Sequence, residues 1–295
     1  LNLGRSKLIL IFAFVGLNLF LGYHLFWPDF GRLTRVAVTM DEIHSVELML
    51  NDNNYYLETN IDRSARSSDF LTVSPAQGLQ EKILQDFIKK GAQVVVAENA
   101  TVYRTEEETA VVYSTGLIRI IYEPGVFLAE NTRALEEQQL TELVETYLVG
   151  EGLMPQEIVF DYLVKRDVGF ITLHYYQVYE ETPVYSGKLQ VTVDSDKLTA
   201  VEIYWLEPVE RFPNREIEVI SAADALKNLM AEIGSSPEPK TVKEIKLGYF
   251  GGEYDAEKWE IQPVWRIVLD NYEYYYINAF TGNIEQDIVI PEQAL

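Results

Sequence analysis

From Leu8 to Trp27 the chain runs through twenty positions with no ionisable side chain except His24. At about 1.5 Å of rise per residue an α-helix over this stretch spans roughly 30 Å, the thickness of a bilayer's hydrocarbon core. The pattern predicts one transmembrane helix over residues 8–27, behind a short tail, 1–7, that carries Arg5 and Lys7. The segment is too long for the apolar part of a cleaved signal peptide. It also ends in Phe26-Trp27-Pro28-Asp29-Phe30, without the small residues that signal peptidase requires. Tyr23 and Trp27 fall where interfacial aromatics are expected, and Pro28 is a helix stop. Basic residues flanking a first span favour the cytoplasmic side, so the tail is expected inside the cell and the body outside it.

Beyond the span, four helices are predicted from end signals and 3.6-residue spacing. Thr39 and Glu42 form a capping box ahead of Ile43, Val46, Met49 and Leu50, giving a helix over about 40–51. Ser74-Pro75-Ala76-Gln77 places a proline at the first turn of a second helix with the stripe Leu79, Ile83, Leu84, Phe87 and Ile88, closed by Gly91. A third stripe, Leu140, Leu143, Val144, Tyr147 and Leu148, follows Asn131-Thr132 and stops at Gly150. A fourth, Ala225, Leu226, Leu229, Met230 and Ile233, starts at Ser221 with Asp224 and stops at Gly234.

After each of the last three helices the apolar period falls to two, as in strands with one covered face. The segments are 94–97, 109–114 and 117–122 after the second helix. Residues 158–164, 170–179, 189–193 and 200–205 follow the third, and 245–249, 259–269, 272–277 and 283–287 the fourth. The recurrence of a helix and then an antiparallel meander predicts an α+β fold of tandem units behind the transmembrane helix: 28–130, 131–215 and 216–295. Two strands end alike, at Asp194 before a polar turn to Lys197 and at Asn278 before a turn in which Gly282 suits positive φ.

Charge narrows the function. Arg5 and Lys7 are the charged residues ahead of Pro28, so residues 28–295 hold 22 basic against 46 acidic side chains, a formal charge of −24 that repels polyanions. Nucleic acid is not an expected partner. The chain has no cysteine, so a hydrophobic core must stabilise the body without disulfides, and no lipid-modified cysteine can anchor it.

Candidate chemistry is sparse. His44 with Glu47 is a lone i, i+3 pair with no second histidine or cysteine to build a zinc site, and reads as a solvated helix face. His174 alternates with Leu173 and Tyr175 and reads as a strand residue with an ordinary hydrogen bond. Glu106-Glu107-Glu108 reads as a hairpin tip, and Asp194-Ser195-Asp196 as a turn without the full pattern of a calcium loop. No nucleophile elbow or phosphate-cradling glycine loop occurs. No enzymatic activity, catalytic residue, metal or cofactor is expected. Tyr272, Tyr274 and Tyr276 share one strand face opposite Tyr275; the row suits a protein partner, but more often such a face lies under a helix. In the span, Ala13, Gly16, Asn18 and Gly22 offer a polar amide among small residues. Either they dock another transmembrane helix or Asn18 bonds its own backbone.

Pro263-Val264-Trp265 with Asn278-Ala279-Phe280-Thr281-Gly282, and Tyr176-Gln177 with Pro183-Val184, resemble the peptidase-propeptide module PepSY. The whole chain, from Arg5-Ser6-Lys7 and Leu17-Asn18-Leu19-Phe20-Leu21 to Thr281-Gly282, resembles the YycI family. That family, with its relative YycH, comprises membrane-anchored accessory proteins of the WalK (YycG) sensor kinase. The resemblance implies regulation by contact, with a sensor histidine kinase of the WalK type and a YycH-like protein as partners at the membrane, and restraint of the kinase as the outcome. Homo-oligomers are left open. A propeptide-like inhibitor or folding assistant of a secreted peptidase is the alternative that the PepSY-like hairpins imply.

Overall fold

The computed structural model describes residues 14–18, 38–64, 66–166, 169–211, 217–270 and 273–286. Among them no helix is long and apolar enough to cross a membrane. Of the predicted span, residues 14–18 are described and helical. The tail, Ala13, Gly22 and His24 lie outside the described residues, as does Tyr272.

The body is α+β and sheet-rich. The first helix, α1 (Met40–Asp52), leads into β1 (Tyr55–Leu57), β2 (Ser67–Ser68) and β3 (Leu71–Pro75). Helix α2 (Gln77–Lys89) precedes the meander β4 (Gln93–Val96), β5 (Ala100–Arg104), β6 (Glu108–Tyr113) and β7 (Ile118–Phe127). Helix α3 (Glu137–Gly150) precedes β8 (Ile158–Lys165), β9 (Phe170–Tyr179), β10 (Thr182–Asp194) and β11 (Lys197–Tyr204). Two further strands, β12 (Leu206–Arg211) and β13 (Ile217–Glu218), lead to α4 (Ala222–Ile233). The last meander is β14 (Lys240–Phe250), β15 (Trp259–Leu269), β16 (Tyr274–Asn278) and β17 (Ile284–Gln286).

Two helix starts follow the end signals. At α1 the Thr39 hydroxyl accepts from the Glu42 amide at 3.2 Å while the Glu42 carboxylate accepts from the Thr39 amide at 2.8 Å. At α4 the Ser221 hydroxyl accepts from the Asp224 amide at 3.0 Å, and Gly234 ends the helix with φ +67°. Two starts differ from expectation. Pro75 is the last residue of β3, opposite Leu206, and not the first of a helix. The Ala76 amide donates to the Trp205 carbonyl at 2.9 Å, so the sheet claims this segment and α2 begins at Gln77. The third helix does not start at Thr132, which lies in a 3-10 turn. Its buried amide donates to the Asp196 carboxylate at 3.0 Å, and α3 begins after Glu136 with a box closed by Gln139. The Asp194–Asp196 turn thus holds the entry to α3.

The three meanders join in one 15-stranded sheet: β7 pairs with β11, and β10 touches β14 at Val184 and Tyr249. Alternation assigns the faces. Ile171, Leu173 and Tyr175 of β9 and Leu189, Val191 and Val193 of β10 form a core with α2 and α3. Trp265, Ile267 and Leu269 of β15 and Tyr275 and Ile277 of β16 form a second core with α1 and α4. A smaller core, including Leu71, Val73, Val184 and Tyr249, fills the junction. Residues of opposite parity, Tyr176, Arg266, Tyr274 and Tyr276 among them, gather on a shared cleft.

Candidate functional site

The cleft, of about 600 Å³, lies where β8–β10 approach β14–β16. Its centre is Arg266, 3 % exposed although it sits in the otherwise apolar run Val264 to Leu269 of β15. The guanidinium donates from Nη2 to Asp161 Oδ1 at 2.6 Å, and its Nε lies 3.6 Å from Glu244 Oε1. It also stands over three tyrosine rings, at 4.8 Å from the centroids of Tyr185 and Tyr274 and 5.5 Å from that of Tyr176. Burial alone would favour loss of the proton, but Asp161 and the surrounding ring oxygens hold Arg266 firmly protonated.

Local irregularities aim these groups. In β8 the register slips between Phe160 and Tyr162, so Asp161 is an extra residue without a partner on β9, and the bulge turns its carboxylate to Arg266. In β10 the ladder to β9 breaks between Val184 and Lys188. That break frees Tyr185 for the cleft and lets the Ser186 hydroxyl bond the Gly251 carbonyl at 2.9 Å and amide at 2.8 Å. Gly248 permits the close approach: a Cβ there would stand 2.7 Å from the Pro183 carbonyl oxygen and 2.6 Å from the Tyr185 ring.

Two ring pairs stack in the walls, Phe250 on Tyr276 with centroids 4.1 Å apart and Tyr162 on His174 at 4.4 Å. Burial, with Arg166 and Lys188 nearby, pushes His174 down to about 4. The ring stands in β9, as expected, and stacks on Tyr162. Burial pushes the Tyr185 phenol well up. Ser186, the one hydroxyl of the Ser/Thr type in the lining, is committed to backbone, and Asp161 is clamped by Arg266. The arrangement offers recognition groups and ring faces.

Of the tyrosine row, Tyr274 and Tyr276 face the cleft and not the expected helix. The helix-covered face of β16 is that of Tyr275, whose phenol burial pushes up to about 12. Helix α4 covers the parity of Trp265 and Ile267, which leaves Tyr274 and Tyr276 to the cleft. The sequence signal for the site is Arg266 itself, the one charge in the apolar run from Val264 to Leu269. The other residues weighed from sequence lie elsewhere. His44 is exposed on α1, 3.8 Å from Glu47. Glu106 and Glu107 form the β5–β6 tip, while Glu108 begins β6 and pairs with Lys90 at 2.5 Å. Among the described residues no group of three or more metal-type side chains gathers. Gly16 and Asn18 are exposed in the helical residues 14–18, and the Asn18 amide donates to the Phe14 carbonyl at 2.9 Å.

The chain is a sheet-rich α+β protein with an arginine-centred aromatic cleft. The model of the family described as YycI protein matches residues 35–280, and the chain belongs to that family. Membership places it among accessory regulatory proteins, with a role in the YycG/WalK regulatory system and association with that kinase and with YycH. An uncharacterized protein from Eubacterium rectale ATCC 33656 is similar at 11 % identity over 80 % of this chain and 91 % of its own, with a TM-score of 0.47. YycH from Bacillus subtilis is similar at 14 % identity over 71 % of this chain, with a TM-score of 0.46; the match spans 52 %, about half, of that protein's length. No curated protein matches.

Proposed function

We propose that the chain is a single-pass membrane protein whose extracytoplasmic body and transmembrane helix together restrain a WalK-type sensor kinase, with a YycH-like protein in the same assembly. The observation that carries this reading is the family match over 35–280 behind a stretch, 8–27, of membrane-spanning length and apolarity. Ala13, Gly16, Asn18 and Gly22 are the proposed contact with the kinase's spans. Small residues allow close approach, and an amide in hydrocarbon gains from a second hydrogen-bonding partner beyond the Phe14 carbonyl. The body, organised as the units 28–130, 131–215 and 216–295 with PepSY-like hairpins in the last two, sets the position of that helix from outside.

The test is photocrosslinking in cells from position 18, combined with kinase output in cells that express only residues 1–35. The proposal predicts capture of a kinase span and partial retention of control by the truncated form. Capture of no kinase together with full control by a body lacking residues 1–27 would overturn it.

A further inference from the structure

Among the donors of the cleft lining, the Tyr185 hydroxyl and Arg266 Nε, the latter 3.6 Å from Glu244 Oε1, are buried and have no hydrogen-bond partner among the described residues, as is the case for the Tyr175 hydroxyl on the core-facing side. Tyr185 and Arg266 are 6 % and 3 % exposed, and both line the cleft. Leaving such groups unpaired costs about 1–3 kcal/mol each, so an acceptor brought by a ligand has a ready gain.

The charges already present limit what that ligand is. A cation finds the faces of Tyr176, Tyr185 and Tyr274 occupied by the protein's own guanidinium. An anion finds Arg266 neutralised by Asp161 and Glu244, and Lys188 paired with Glu253 at 2.8 Å, within a body of strong negative charge. What remains is a neutral molecule with acceptor oxygens for the two buried donors, hydroxyl donors for Glu253 and Glu285, and flat carbon faces. The Phe250–Tyr276 and Tyr162–His174 pairs, all partly exposed, and the exposed Tyr254 present aromatic surface to such faces.

We infer that the cleft is a binding site for a neutral oligosaccharide. Sugar hydroxyls donate and accept at one atom, which suits a lining of side chains of both kinds, and the pyranose ring supplies the C–H face that lies on aromatic rings. An extended peptide fits less well. Its donors and acceptors are read by free strand edges, whereas the walls of this cleft are sheet faces, with ladders interrupted at Asp161 and between Val184 and Lys188. A volume of about 600 Å³ falls within the range of roughly 300–1,000 Å³ usual for small-molecule sites. The inference goes beyond control of the kinase and does not depend on it.

The test is calorimetric titration of the full chain, kept in a zwitterionic detergent that contains no sugar. The probes are tetra-N-acetylchitotetraose, maltotetraose and cellotetraose, with an Ala-Pro-Ala-Pro peptide as the contrasting arm. At least one saccharide is expected to bind saturably. Tyr185→Phe, which removes only the hydroxyl, should weaken it about three- to tenfold. Tyr254→Ala, at an exposed rim position in edge contact with Trp259, should weaken it several-fold. No saturable binding of any of the three saccharides overturns the inference. So does binding that neither variant changes, or binding of the peptide alone.

Discussion

Removing Asp161 tests the construction of the cleft. Its carboxylate is the partner in direct hydrogen bond with Arg266, whose side chain is 3 % exposed and cannot turn to water. Truncating one member of a buried ion pair costs about 3–5 kcal/mol, because the other charge is left uncompensated. Here part of that loss is offset. Glu244 stays 3.6 Å from Nε, and the three ring faces remain, each worth about 0.5–2 kcal/mol to a cation. Asp161→Ala is therefore expected to destabilise the protein by about 2–4 kcal/mol. Arg266→Met leaves Asp161 with 16 % of its side chain exposed and able to recruit solvent, so its charge penalty is smaller. The double variant then loses less than the sum of the two singles, with a coupling of about 1.5 kcal/mol or more. The assay is a double-mutant cycle by urea unfolding, followed through tryptophan fluorescence, to which the buried Trp205 and Trp265 contribute. A cost for Asp161→Ala below about 0.5 kcal/mol, or strict additivity in the cycle, would refute the buried-charge account of the cleft.

Gly248→Ala is expected to cost about 1–3 kcal/mol by thermal or urea unfolding, since its Cβ would press on the Pro183 carbonyl and the Tyr185 ring where β10 meets β14. Ser221→Ala should cost about 1 kcal/mol through loss of the α4 cap, with Ser221→Asn restoring most of it. His174 supplies a pH dependence. Its folded value, about 4, lies below its ordinary 6.5, so the unfolded chain binds the extra proton first. Its contribution is complete above pH 6.5 and is lost as the pH falls toward 4. Replacing His174 by Gln should flatten the stability profile across that window in pH-dependent unfolding. At lower pH a second loss is expected at Asp224: burial alone would raise its carboxyl, but the bonds from Lys227 and Ser221 hold it below the ordinary 3.8. Its stabilisation is present above that value and disappears as acid protonates the folded form, which Asp224→Asn should abolish.

The four helices and three meanders were legible because each rests on local signals. Thr39 and Glu42, or Ser221 and Asp224, state a helix start within four residues, and period-two alternation states which side chains face a core. Non-local pairing was not legible. Pro75 carries a strong helix-start signal of its own, yet β12, some 130 residues later, draws it into a sheet. Strands β1, β2 and β13 are two or three residues long and gain their geometry wholly from partners. The cleft was half visible. The parity of Tyr274 and Tyr276 followed from spacing, but which parity lies under α4 depends on how the helix crosses the sheet. Asp161 meets Arg266 across 105 residues of chain through a bulge that no local pattern announces.

The proposed control of a kinase by contact is tested by the phosphorylation of the cognate response regulator in cells with and without this protein. Removing the protein is expected to raise phosphorylation, and the full chain to return it to its former level. Phosphorylation unchanged by removal would contradict the proposal.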